Sequence, residues 1–167
     1  LLRRAVFSAI ESICSPVVVV LGANFEKTKK EVEDLPIEIC FNENWQTGLS
    51  SSIKKGLKSS QETAPKIDAV MITLADQPFV MAEHINKFAE KFHQSKCAII
   101  AAKYNEILGV PALFAREIFD DFAEISGDKG AKEILERRRD DLEIIDLPEA
   151  AFDIDTARDF INLNKLG

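Results

Sequence analysis

Apolar residues recur along this chain in two rhythms that take turns. Leu2, Ala5, Val6, Ala9, Ile10 and Ile13 follow helical spacing, whereas residues 17–21 (VVVVL) form an unbroken, largely β-branched run closed by Gly22. The first pattern predicts an amphipathic helix and the second a strand buried on both faces. The alternation continues with a short helix over 26–33, a strand nearer the sheet edge over 37–41, a polar loop over 42–48 and a helix over 49–59 carried by Leu49, Ile53 and Leu57. A strand over 69–74 precedes a helix over 81–93, whose stripe is Ile85, Phe88, Ala89 and Phe92. Strands over 97–102, 110–114 and 142–147 and helices over 117–125 and 131–138 follow, with a closing helix over 156–163 capped by Asp155 or Thr156. Strand and helix alternate at crossover intervals, so the predicted class is α/β with a mainly parallel sheet. No internal repeat or linker interrupts the pattern, and one domain over 1–167 is expected.

The run over 70–78, VMITLADQP, ends abruptly in a carboxylate and then a proline. Ligands of open α/β sheets gather outside the carboxyl ends of the strands, which is where this pattern puts Asp76. Pro78 cannot donate to a ladder and disfavours helix at Gln77, so the strand must stop there. A cap for the next helix would explain Asp76 equally well.

A formal charge of -7, from 21 basic and 28 acidic residues, argues against a nucleic-acid surface and leaves anionic ligands in need of local cations. A metal ion would supply them. The longest strongly apolar stretch, 16–23, is too short to span a bilayer, and no signal segment opens the chain, so no membrane association and a cytoplasmic location are expected. Cys14, Cys40 and Cys97 are odd in number and widely spaced, which suits packing better than a disulfide framework.

Asp153 and Asp155 project to one side of an extended segment ahead of the closing helix and, with Asp76, make a candidate Mg²⁺ site, although helix capping needs only one of them. The small-residue loop 47–52 (TGLSSS) leads into a helix, and such loops offer backbone N–H groups and hydroxyls to a ligand or cap the helix. Residues 127–130 (GDKG) have the same ambiguity, with Lys129 placed to meet a phosphate or solvent. Gly109 permits a close backbone approach to a ligand or a turn. His84 and His93 share one helix with no nucleophile pattern around them, and no Walker A, G-x-G-x-x-G or G-x-S-x-G sequence occurs.

Taken in order, NENWQTGLSSSIKKGL (42–57), LADQPFV (74–80), GVPALF (109–114), GDKGA (127–131) and DIDTARD (153–159) resemble the MobA-like nucleotidyltransferases, in particular the molybdenum cofactor cytidylyltransferase branch. The resemblance covers nearly the whole chain. It implies the nucleotide-diphospho-sugar transferase fold, a three-layer α/β/α sandwich with a Rossmann-like sheet. It implies Mg²⁺ held by Asp76 and Asp155, with Asp153 beside them, and Gly48, Ser51 and Ser52 on the nucleotide side. Gly109, Pro111, Asp128 and Lys129 would border a phosphorylated acceptor such as a molybdopterin. The implied reaction is attack of the acceptor phosphate on the α-phosphate of CTP or GTP with release of pyrophosphate, a task of positioning and charge neutralisation that needs no strong general base.

Two departures qualify the resemblance. The family opens with a strand and glycine-rich loop of the form L-A-A-G-x-S-x-R-M-G-x-x-K, which no part of this chain matches, so an N-terminally incomplete domain lacking one central strand is expected. Val110 stands where many cytidylyltransferases of this group carry His, which leaves the base and the acceptor open. The missing signature also keeps an alternative in view, a non-catalytic paralogue that binds molybdenum cofactor or a molybdoenzyme partner as an insertion factor.

Overall fold

The hydrophobic alternation becomes a sheet with both faces covered. The computed structural model describes residues 1–152, so Asp153, Asp155 and the closing helix expected over 156–163 lie outside the described residues. The elements are α1 (Leu2–Ile10), β1 (Val18–Leu21), α2 (Phe25–Lys29), β2 (Glu38–Phe41), α3 (Leu49–Thr63), β3 (Ala69–Ile72), α4 (Ala82–Gln94), β4 (Ile99–Tyr104), β5 (Ile107–Ala115), α5 (Lys132–Arg137) and β6 (Leu142–Asp146). Tight 3₁₀ turns occupy Trp45–Thr47, Arg116–Ala123, Arg139–Asp141 and Pro148–Ala151. Ile99, Ala101, Ala112 and Phe114 point to one face and pack on Ile118, Phe122, Ile134 and Leu135. Their neighbours Ile100, Ala102 and Leu113 point to the other and meet Val80, Ile85, Phe88 and Ala89. Period-2 geometry sorts the residues, and full burial of each large side chain contributes about 1.5–3 kcal/mol.

The α/β class holds, with β1 parallel to β2 and β4 parallel to β6. The reversed member is β5, which pairs antiparallel with both β3 and β4. The expected short strand over 110–114 is the far half of this longer strand. A two-residue turn at Asn105 and Glu106, both with left-handed φ (47° and 60°), folds β5 back onto β4. Such a turn normally announces itself as Asn-Gly, and Asn-Glu hid it from the sequence pattern. The helix expected over 117–125 is a 3₁₀ turn instead, whose three-residue period brings Phe119 and Phe122 into the core together.

The strands fall into two sheets among the described residues, β1-β2 and β3-β5-β4-β6. β1 and β3 each have one hydrogen-bonded neighbour there. Between them runs a cavity of about 1340 Å³, lined by residues of β1 and β3 and by Ala5 and Ala9 of α1, Ile53 and Gly56 of α3 and Ala89 of α4. No helix among the described residues is long and apolar enough to cross a membrane. Cys14, Cys40 and Cys97 are free and partly buried, and burial pushes the Cys14 and Cys40 thiols up.

Candidate active site

β3 ends at Ile72, and the six residues that follow run as a turn held by one buried side chain. Gln77 is 1% exposed, and its Nε2 donates to the Val110 carbonyl at 3.2 Å and to the Ala150 carbonyl at 3.0 Å. Its Oε1 has no hydrogen-bond partner among the described residues. Asp76 sits beside it at the carboxyl end of β3, half-buried with Oδ1 turned inward. Helix capping does not account for Asp76, because α4 begins at Ala82 and its first turn is closed by His84, whose Nδ1 accepts the Met81 N–H at 3.0 Å. His84 is thereby explained as a structural group.

The second component is a break in the β4-β5 ladder. Ala101 pairs with Ala112 but Ala102 pairs with Gly109, so Val110 and Pro111 are looped out of register. Proline has no N–H to give a ladder and belongs at such a bulge. Gly109 lies close against the end of the Tyr104 side chain, since a Cβ there would stand 2.5 Å from the Tyr104 hydroxyl. Pro111 is fully buried, so it shapes the bulge and its ring offers no surface to a ligand. The looped-out Val110 carbonyl is one of the two that Gln77 grips, which fastens the bulge to the Asp76 turn.

The third component is a ledge made of loops 42–50 and 126–130. Asn42, 3% exposed, organises the first of them. Its Nδ2 donates to Ser51 Oγ at 2.8 Å and to Ser52 Oγ at 3.0 Å, and its Oδ1 accepts the Asn44 N–H at 3.0 Å. Ser51 Oγ in turn donates to the Gly48 or Asn44 carbonyl, so this hydroxyl is committed to the loop, whereas Ser52 Oγ only accepts among the described residues. Gly48 has φ +104°, and a Cβ there would stand 2.5 Å from the Gly127 carbonyl and 2.7 Å from Asp128 Oδ1. The Ser50 N–H donates to Gly127 O at 3.0 Å, and the buried Ser50 Oγ has no partner among the described residues. The two loops, expected to serve the nucleotide and the acceptor respectively, are therefore one packed unit, with Asp128 and Lys129 exposed on it.

Asn42 and Gln77 are the residues that the sequence reading missed. Each is a polar side chain next to an apolar run, and nothing in the local pattern says that it will be buried. As for metal binding, no group of three or more His, Cys, Asp or Glu comes together among the described residues. Asp76 is a hard oxygen donor at a strand end, which suits Mg²⁺ or Mn²⁺ completing its shell with water and phosphate oxygens. Ala150, gripped by Gln77, lies three residues ahead of Asp153 in the sequence.

The model of the MobA-like NTP transferase domain matches residues 1–142. Among solved structures, the Mycobacterium sp. strain JC1 homologue of Mycobacterium tuberculosis Rv0371c superposes with a TM-score of 0.80 at 26% identity, covering 99% of this chain and 82% of that one. Rv0371c of M. tuberculosis, solved in complex with manganese, gives 0.76 at 18% identity over 98% of this chain and 85% of its own. Molybdopterin-guanine dinucleotide biosynthesis protein A of Archaeoglobus fulgidus gives 0.67 at 13% identity, covering 98% and 84%. These last two likenesses establish a shared fold. A search of curated protein sequences finds no match.

Proposed function

The chain belongs to the MobA-like NTP transferase family, a nucleotidyltransferase family, and from that premise we propose that it moves a nucleoside monophosphate, CMP from CTP, onto a molybdopterin-type acceptor with Mg²⁺. The observation that carries this reading is the grip of Gln77, which ties the Asp76 turn to the Gly109–Pro111 bulge and to the segment leading into Asp153 and Asp155. The Asp76 turn, the bulge and Ala150 are tied together by this one side chain, which supports the reading. In the transfer an oxygen of the acceptor's terminal phosphate bonds to the α-phosphorus, the bond from that phosphorus to the β-phosphate oxygen breaks, and pyrophosphate leaves. Both reactants are anions, so alignment and charge neutralisation dominate the barrier.

Asp76 and Asp155, with Asp153, would hold the metal, which supplies Lewis acidity toward phosphate oxygens. Gly48, Ser51 and Ser52 form the nucleotide side, Ser52 with a hydroxyl hydrogen to give and Ser51 by bracing the loop. Lys129 supplies a mobile cation at the rim, and Asp128 beside it meets the acceptor's neutral donors. Gly109 and Pro111 hold the bulge against which the acceptor rests. The molybdopterin assignment draws on the five-motif resemblance and on the A. fulgidus neighbour, and the metal assignment on Asp76 and on the manganese-bound neighbour.

Pyrophosphate release by the full-length protein, measured with CTP and GTP, Mg²⁺ and molybdopterin, tests the proposal. Release with CTP above GTP is expected. Absence of release with either nucleotide would replace turnover by binding alone, the role of an insertion factor that delivers cofactor to a molybdoenzyme.

A further inference from the structure

We infer that the indole of Trp45 is the platform on which the nucleobase of the triphosphate stacks, an inference that rests on the nucleotidyl-transfer reading of this site. Trp45 opens the 3₁₀ turn Trp45–Thr47 between β2 and α3, and despite its large apolar ring it is 41% exposed. The root of the side chain is clamped. Gly22 follows the last residue of β1, and a Cβ there would lie 2.5 Å from Trp45 Cβ and 2.8 Å from Cγ, so the side chain rests directly on glycine backbone. The turn beneath is fixed by hydrogen bonds from Thr47 N–H to the Asn44 carbonyl at 2.9 Å and from Gly48 N–H to the Trp45 carbonyl at 3.2 Å, and Asn42 anchors Asn44.

The result is a partly exposed indole held at its base, at the carboxyl ends of β1 and β2 and three residues ahead of Gly48. Every nucleobase offers a π-face, and base–aromatic stacking is strong enough to bind while tolerating different bases. Hydrogen bonding by Ser52 and the ledge then remains available for discrimination between bases. A side chain whose Cβ and Cγ already rest on Gly22 has less freedom to lose on stacking than a free surface aromatic.

Trp45 is the one tryptophan of residues 1–167, and the Trp45→Ala protein supplies the emission baseline that isolates its signal. Titration of the full-length protein with CTP, GTP and inorganic tripolyphosphate in Mg²⁺ is followed by tryptophan emission and, in parallel, by calorimetry. The expected result is a saturable change in emission with both nucleotides and none with tripolyphosphate. Trp45→Ala should bind nucleotides roughly ten- to a hundredfold more weakly with unaltered tripolyphosphate affinity, and Trp45→Phe should restore calorimetric binding to within a few-fold. Nucleotide binding by calorimetry with silent emission and unaltered affinity in Trp45→Ala overturns the inference while sparing the function. A response to a free pterin but not to nucleotides overturns it by giving the ring to the acceptor. No nucleotide binding at all overturns both.

Discussion

Two buried amides hold the two halves of this site, and they do so over different ranges of the chain. Asn42 makes its hydrogen bonds to residues 2, 9 and 10 positions away, inside one loop and the first turn of the helix that follows. Gln77 makes its two across 33 and 73 positions, joining the end of β3 to the β5 bulge and to the Pro148–Ala151 turn. The side-chain anchor of the 42–50 loop is thus local, and the long-range part of the ledge is its packing against loop 126–130. The side carrying Asp76 exists only after three distant segments have met. A locally tied loop can open and close without disturbing the core, whereas a loop tied through Gln77 moves with the bulge or not at all.

The sharpest test of this division is chemical. Asp76→Asn keeps the shape of the side chain and removes its charge, and turnover should fall by about a hundredfold or more with the melting temperature nearly unchanged. Retained pyrophosphate release would remove Asp76 from the proposed chemistry. Next in size is Gln77→Leu, which leaves the Val110 and Ala150 carbonyls without their donor. Loss of about 2–4 kcal/mol is expected, read as a melting point lower by roughly 5–15 °C, together with a higher Mg²⁺ requirement. Because the long-range tie sets the position of Asp76, raised Mg²⁺ should partly rescue activity without restoring the melting point. Equal recovery of both would mean that Gln77 acts on stability alone.

Asn42→Ala should do the opposite. A cost of about 1 kcal/mol is expected, because water can reach most of its former partners, while KM for the nucleotide rises several-fold and kcat holds. A kcat effect as large as that of Gln77→Leu would break the distinction between the two halves. The smallest effect belongs to an ion pair outside both. Arg138 donates to Asp121 at 2.8 and 3.0 Å and holds that carboxyl below the usual carboxylate range. A depressed folded-state pKa stabilises above the unfolded value of about 3.9, and the contribution disappears as pH falls through the folded value. Asp121→Asn should therefore lower the melting point by a few degrees at neutral pH, with the difference from wild type vanishing in acid and pyrophosphate release unchanged at neutrality.

The same contrast of range explains what was legible beforehand. Periodicity located β1, β3, α3 and α4 because each is written in its own residues, and the run 70–74 followed by Asp76 and Pro78 announced a strand end. The reversed direction of β5 was not legible, because Asn105 and Glu106 adopt left-handed backbone without the glycine that usually marks such a turn. Nor was the bulge that loops out Val110 and Pro111, since register is a property of two strands and the sequence presents them one at a time.

The sequence by itself determined the alternation of strands and helices, the α/β class and the place of Asp76 at a strand end, because hydrophobic period and proline geometry act within a few residues, and five motifs in order carried the family resemblance. Only the tertiary structure decided that Asp76 is no helix cap, that loops 42–50 and 126–130 form one ledge, and that Gln77 joins the turn after β3 to the bulge and to Ala150. Those outcomes depend on which backbone carbonyls are left without a ladder partner and which buried side chain reaches them, and that is settled only when distant segments pack.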